Sequence, residues 1–203
     1  MNSVLKFLKQ KFQNISLFFL CHSVGGQMIG LIPNINDIEG VLAISTSSGY
    51  AKNMTLSARL QSFYFFRIVR PIIHLIYGYS KFKFLGIMED MPIKITNRWY
   101  EWCSKPEYFF DPKNAKKMAK LSGFKNLKIP IEVAIAKDDP ICPKPNVENL
   151  WKNFHSSGGI NFNWLKPEDF DLKTIGHFHF FRKTSKAQLW PWTLDKLEHL
   201  SKH

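Results

Sequence analysis

The stretch from Leu17 to Gly30 reads LFFLCHSVGGQMIG. Its four leading apolar residues, Leu17–Leu20, form the kind of short continuous run that suits a strand buried on both faces of a parallel sheet. Ser23–Gly26 then predicts a turn, and Gln27–Ile32 the start of a helix. A strand that turns sharply into a helix at a serine exposes the hydroxyl for attack on a carbonyl. Such a turn presses the residues two before and two after the serine against neighbouring backbone. Both must be small, which is why the pattern is usually G-x-S-x-G. Here those positions are Cys21 and Gly25. Cysteine is small, so the turn is allowed but more crowded.

Working outward, the opening MNSVLKFLKQKFQN carries Val4, Leu5, Phe7, Leu8 and Phe12 at helical spacing with lysines between them. That is an amphipathic helix rather than the apolar run of a signal peptide. On the other side, GVLAIS (Gly40–Ser45) and KIPIEVAIA (Lys128–Ala136) predict two more buried strands. Asn149–His155 predicts a helix, Asn161–Leu165 a short strand and Gln188–Leu200 an amphipathic helix. Between the second and third strands, Gly49–Lys120 is aromatic-rich and basic, with helical spacing in LQSFYFFRIVRPIIHLIY and ITNRWYEWC. It reads as a helical insertion, residues 49–120, within a single domain of residues 1–203. The alternation of strand and helix makes the fold class α/β, a mostly parallel sheet with flanking helices.

The bulk composition narrows the function classes. The chain has 203 residues and a formal net charge of +12. Its lysines are scattered and nowhere form a block of five or six, so they read as solvated surface and not as a nucleic-acid site. Three cysteines, Cys21, Cys103 and Cys142, show no CxxC spacing. They suggest neither a disulfide framework nor a zinc site and suit a reducing, cytoplasmic compartment. Leu17–Ile32 and Phe63–Tyr79 are both broken by polar residues, so no membrane-spanning segment is expected.

A nucleophilic serine needs a base to take its proton and an acid to orient the base. The acid candidate lies in AKDDPICP, just past the third strand, where open α/β sheets place their sites. Asp139 begins the Asp-x-Ile-x-Pro pattern, with Asp138 as the alternative. The base candidate is His177 in TIGHFHFFR, after the last strand; His179 lies two residues on. Two histidines at that spacing could bind a metal, but no third ligand cluster is evident. His22, His74 and His155 have no comparable setting. Ser23, Asp139 and His177 each follow a predicted strand, and they occur in the chain order Ser…Asp…His.

With these residues in place, the sequence resembles the α/β-hydrolases. CHSVGGQMIGLIPN is similar to the nucleophile turn and following helix of a bacterial family of predicted α/β-hydrolases, and GIMEDMPIKITNRWYEWCSKPEYFF and IGHFHFFR resemble the same family. The resemblance runs over nearly the whole chain. It implies Ser23 as nucleophile, Asp139 as orienting acid, His177 as general base and the Val24 amide as one oxyanion donor. It implies a small-molecule acyl substrate, an ester, thioester or amide, with no cofactor or metal. It also implies that residues 49–120 form a lid; its aromatics read mostly as core packed onto the sheet, with lining of an acyl pocket as the alternative.

Set against that family, the serine comes early, because several strands would normally precede it. The expectation is therefore the C-terminal half to two-thirds of such a hydrolase, lacking the loop that supplies a second oxyanion donor. An inert fragment or subunit is the alternative, and a basic nucleic-acid or membrane-surface module a lesser one. Leu17–Leu20 would then be a sheet edge without a gatekeeping charge, open to self-association.

Overall fold

The computed structural model describes residues 2–86, 88–114 and 122–201. Four strands form its sheet: β1 (Phe18–His22), β2 (Gly40–Ile44), β3 (Ile131–Ala136) and β4 (Ile160–Leu165). They lie in the order β1-β2-β3-β4, and every neighbouring pair is parallel. Phe18 pairs with Gly40, Val41 with Ile131, and Ile131 with Ile160. The strands therefore start level, and their carboxyl ends share one rim of the sheet.

β2 and β3 occupy the middle, and every residue in them is buried. Their unbroken apolar runs follow from that position, since side chains on both faces must leave water. Alternate residues divide between two layers. Val41, Ala43, Val133 and Ile135 face a core that includes Ile29, Tyr108, Phe124 and Trp151. Leu42, Ile44, Ala134 and Ala136 face Ile175, Phe180, Leu189 and Leu200. Glu132 breaks the apolar run of β3 yet is buried. Its carboxylate accepts from the Asn161 and Asn163 side-chain amides at 3.2 and 2.6 Å, with Lys196 Nζ at 3.7 Å. A buried carboxylate is tolerated when paired in this way.

β1 departs from the two-faced burial expected of it. Within the strand only Cys21 is buried, and Leu20 is exposed. Position explains this: β1 ends the strand order, so among the described residues no strand covers its outer flank.

Helices among the described residues include α1 (Asn2–Lys11), α2 (Val24–Gln27), α3 (Leu56–Tyr64), α4 (Arg70–Tyr77), α5 (Ile93–Cys103), α6 (Lys144–Trp151) and α7 (Lys186–Leu200). A π turn, Phe65–Val69, joins α3 to α4 without a break. Thr55 caps α3 by accepting from the Ala58 amide, and α4 stops at left-handed Gly78. Between β2 and β3 the described residues carry α3, α4 and α5; residues 87 and 115–120 of the expected insertion lie outside the described residues. Two helix boundaries differ from the sequence reading. The helix expected at Gln27–Ile32 begins at Val24 and gives way to a 3-10 turn, Ile29–Leu31. The helix expected at Asn149–His155 begins at Lys144, with Pro145 in its first turn, where no amide hydrogen is needed, and ends at Trp151.

Candidate active site

β1 delivers Ser23 at the sheet's carboxyl rim with φ 50° and ψ −116°. A positive φ is costly for a residue with a Cβ and persists only where the surroundings hold it. Three contacts do so. The Ser23 amide donates to the Ile44 carbonyl at 2.9 Å, and the Thr46 hydroxyl donates to the Ser23 carbonyl at 3.2 Å. The Gly26 amide donates to the same carbonyl at 3.1 Å as α2 begins. Gly26 lies directly on Thr46, so a Cβ there would overlap the threonine side chain. The crowding expected at Cys21 is absent, because a Cβ on Gly25 would stand 3.5 Å from that of Cys21, an ordinary contact. Burial pushes the Cys21 thiol up to about 12, so it packs as a neutral spacer. Val24 opens α2, and its amide is among those with no partner inside the helix.

The other predicted residues meet at this turn. His177 Nε2 lies 3.1 Å from Ser23 Oγ, and His177 Nδ1 lies 2.8 Å from Asp139 Oδ2. The carboxylate can only accept, so Nδ1 carries the proton and Nε2 presents its lone pair to the serine hydroxyl. Asp139 Oδ1 accepts from the amides of Ile141 and Cys142 at 2.9 and 3.1 Å. Burial pushes the Asp139 carboxyl upward, but the bonds from His177 and these donors outweigh it and hold the group below the usual carboxylate range.

The two adjacent aspartates have different partners. Asp138 does not reach the histidine ring. It accepts from the Thr174 hydroxyl at 2.6 Å and from the amides of Ile175 and Gly176, each at 2.9 Å. Its pKa too is lowered, with burial opposing and these three donors prevailing. Asp139 contacts the imidazole, and Asp138 ties down the loop that carries it.

Several neighbours had no place in the sequence reading. His22, set aside there, lies beside the site: its Nε2–H donates to the His177 carbonyl at 2.8 Å, and the two rings are 4.9 Å apart. Burial lowers its pKa below the ordinary histidine value. Tyr108, at φ 55° and fully buried, donates its hydroxyl to Gln27 Oε1 at 2.5 Å, and Gln27 Nε2 donates to the Ser47 carbonyl at 2.6 Å. This chain of bonds ties the segment between β2 and β3 to the back of the serine turn. Position next to the serine was the available signal for His22; Tyr108 carried none.

His179 is not among the residues whose potential ligand atoms converge with His177, and its Nδ1–H donates to the Ile175 carbonyl at 2.9 Å. The structure instead brings Asp139, Cys142 and His177 together, with potential ligand atoms within 4.8 Å of one another. These donors already bond among themselves and to the backbone. Cys142 Sγ donates to the Ser45 carbonyl at 3.1 Å, and burial holds its thiol well above the ordinary value.

No family model matches the sequence, and no curated protein matches it. Solved structures do. The chain is similar to a soluble variant of monoglyceride lipase from Saccharomyces cerevisiae in complex with a substrate analog, with a TM-score of 0.57 and 14% identity, over 99% of this chain and 66% of that one. It is also similar to the Paleococcus ferrophilus monoacylglycerol lipase, with a TM-score of 0.51 and 12% identity, over 99% of this chain and 74% of that one. At such identities the likeness carries the fold, and the fold is that of the α/β-hydrolases.

Proposed function

We propose that this α/β-hydrolase-fold chain is a serine hydrolase acting on a carboxylic ester, thioester or amide. The observation that carries the reading is the continuous path from Ser23 Oγ through His177 to Asp139, at 3.1 and 2.8 Å, on a serine held at positive φ. In this reading Ser23 Oγ attacks the acyl carbon as His177 Nε2 takes its proton. Asp139 keeps the ring in the required tautomer and stabilises the imidazolium. The carbonyl oxygen gains negative charge and is met by the Val24 amide. Collapse breaks the bond to the leaving group, which receives the proton from His177. Water then repeats the sequence on the acyl-serine, releasing acid and free Ser23.

The test is labelling by a fluorophosphonate, which reports an activated serine whatever its natural substrate. Labelling of the folded chain that disappears in Ser23→Ala is the expected result. A folded, monodisperse chain that takes up no probe overturns the proposal and leaves the fragment or inert-subunit reading. The substrate names of the two similar lipases make monoacylglycerols the first acyl donors to try after labelling.

A further inference from the structure

The rod formed by α3, the π turn and α4 has an outer face that no described element covers. Leu60, Phe63, Ile72, Leu75 and Ile76 stand there 59%, 59%, 51%, 87% and 65% exposed. Single exposed apolar residues are ordinary on protein surfaces, but a contiguous row is a mark of an interaction site. The opposite face is anchored by buried Ala58, Phe66 and Ile73. Phe66 packs on Trp99 and Tyr100 of α5, Arg70 lies over the Tyr100 ring at 4.5 Å, and its NH1 donates to Asn97 Oδ1 at 2.7 Å. The apolar row is therefore held outward by a fixed contact.

Charge indicates what covers it. From Gly40 to Met88 the sequence contains no Asp or Glu, but it contains Lys52, Arg59, Arg67, Arg70, Lys81 and Lys83, of which Lys83 pairs with Glu89 at 3.0 Å. Arg59 and Arg67 are exposed on the rod itself. A second copy of the chain docking on this face would bring like charge against like charge. A surface of anionic lipid supplies both what the row lacks and what the arginines attract. Among the described residues no helix is long and apolar enough to cross a membrane. We infer that the α3–α4 rod lies flat in the interface of an anionic bilayer, its apolar row in the acyl boundary and its arginines at the headgroups. This inference stands apart from the proposed hydrolase activity, since it uses none of the residues at the serine turn.

The test uses the full chain carrying Ser23→Ala, so that no lipid is cleaved, in co-sedimentation with phosphatidylcholine vesicles with and without phosphatidylserine. Binding is expected to be about tenfold or more tighter to the anionic vesicles and to weaken as salt rises. Ile72→Asp with Leu75→Asp should reduce it at least about tenfold with an unchanged melting temperature, because both side chains already face solvent. Arg59→Glu with Arg67→Glu should remove the preference for phosphatidylserine and leave weak binding to both vesicle types. Equal binding by the parent chain and these variants, or no binding at low salt, overturns the inference. So does self-association without lipid that the rod substitutions abolish, which would make the occupant a second copy. Fluorophosphonate labelling of the unmutated chain is read separately, so failure of one proposal does not count against the other.

Discussion

The carboxyl rim of the sheet and the outer face of the α3–α4 rod treat exposure in opposite ways. At the rim, the buried pair Asp139 and His177 is closely engaged: both oxygens of Asp139 accept bonds, and both ring nitrogens and the carbonyl of His177 have partners. On the rod, apolar side chains face water and are held there by a buried seam on the other side. The contrast separates two kinds of sensitivity. Removing one atom at the rim strands a buried partner, which costs the full desolvation of that partner. Removing several atoms from the rod's outer face strands nothing, and should change only what the rod docks on.

The sharpest way to break this contrast is at the rim's central ring. His177→Ala should lower the rate of fluorophosphonate labelling by about 10⁴-fold or more, because His177 Nε2 is the ring nitrogen that reaches Ser23 Oγ, while that of the neighbouring His22 is engaged by the His177 carbonyl. Vesicle binding by the same variant should be unchanged. Labelling that survives this substitution would remove His177 from its proposed role.

The aspartates come next, and they separate chemistry from structure within two adjacent residues. Asp139→Asn should cut labelling by roughly 10³–10⁴-fold, through loss of the tautomer that leaves Nε2 free. Asp138→Asn should leave a labelling rate within about tenfold of the parent and instead lower stability by about 1–2 kcal/mol, since it weakens three bonds that are partly open to solvent. Both carboxyls are held below their ordinary pKa in the fold. The folded state therefore binds fewer protons than the unfolded one at acid pH. The stability they contribute is complete above about pH 4 and fades as pH falls through the folded values. The stability gap between parent and Asp138→Asn, followed by urea unfolding, should accordingly shrink below that pH. A constant gap would mean that the Asp138 charge is not what holds the loop.

How much of this was legible depended on whether a residue's role is set by its neighbours in sequence or by distant ones. β2 and β3 announced themselves because burial on both faces leaves no room for polar alternation. Ser23, Asp139 and His177 were singled out because each follows a predicted strand, and the structure places their side chains within hydrogen-bond reach of one another. The choice between Asp138 and Asp139 was not legible, because it turns on Thr174–Gly176, more than thirty residues away. Two helix starts were misplaced because Gly25–Gly26 and Pro143–Pro145 read as loop. The first pair serves close approach to Thr46, and Pro145 sits in the one helical turn that accepts it. Glu132 gave no warning within an apolar run, as its partners come from β4 and α7.

Tyr108 probes the link between the rim and the helical segment. Tyr108→Phe should leave Gln27 Oε1 buried without its donor, costing about 1–3 kcal/mol in chemical unfolding. Its effect on labelling should be only a few-fold, because the bond supports the turn from behind and does not touch the serine. Loss of labelling in a stably folded Tyr108→Phe would show that the segment between β2 and β3 sets the serine's position, and not only its support.

The smallest expected effect belongs to His22, and it is the most informative about how finely the base is placed. Its Nε2–H holds the backbone carbonyl of His177, a bond that fixes the ring's height over Ser23 rather than its tautomer. His22→Phe should preserve the edge contacts with Phe178 and Phe181 while losing that bond, and lower labelling by about threefold to tenfold, corresponding to roughly 1 kcal/mol for one hydrogen bond. His22→Gln, which keeps a donor, should recover part of the loss. Because burial lowers the His22 pKa, the folded state resists protonating it, and the unfolded chain binds more protons just below the ordinary value near 6.5. Stability of the parent chain should therefore fall as pH drops below about 6.5, and His22→Phe should flatten that part of the profile. A profile unchanged by the substitution would assign the slope to another group and reduce His22 to an aromatic contact.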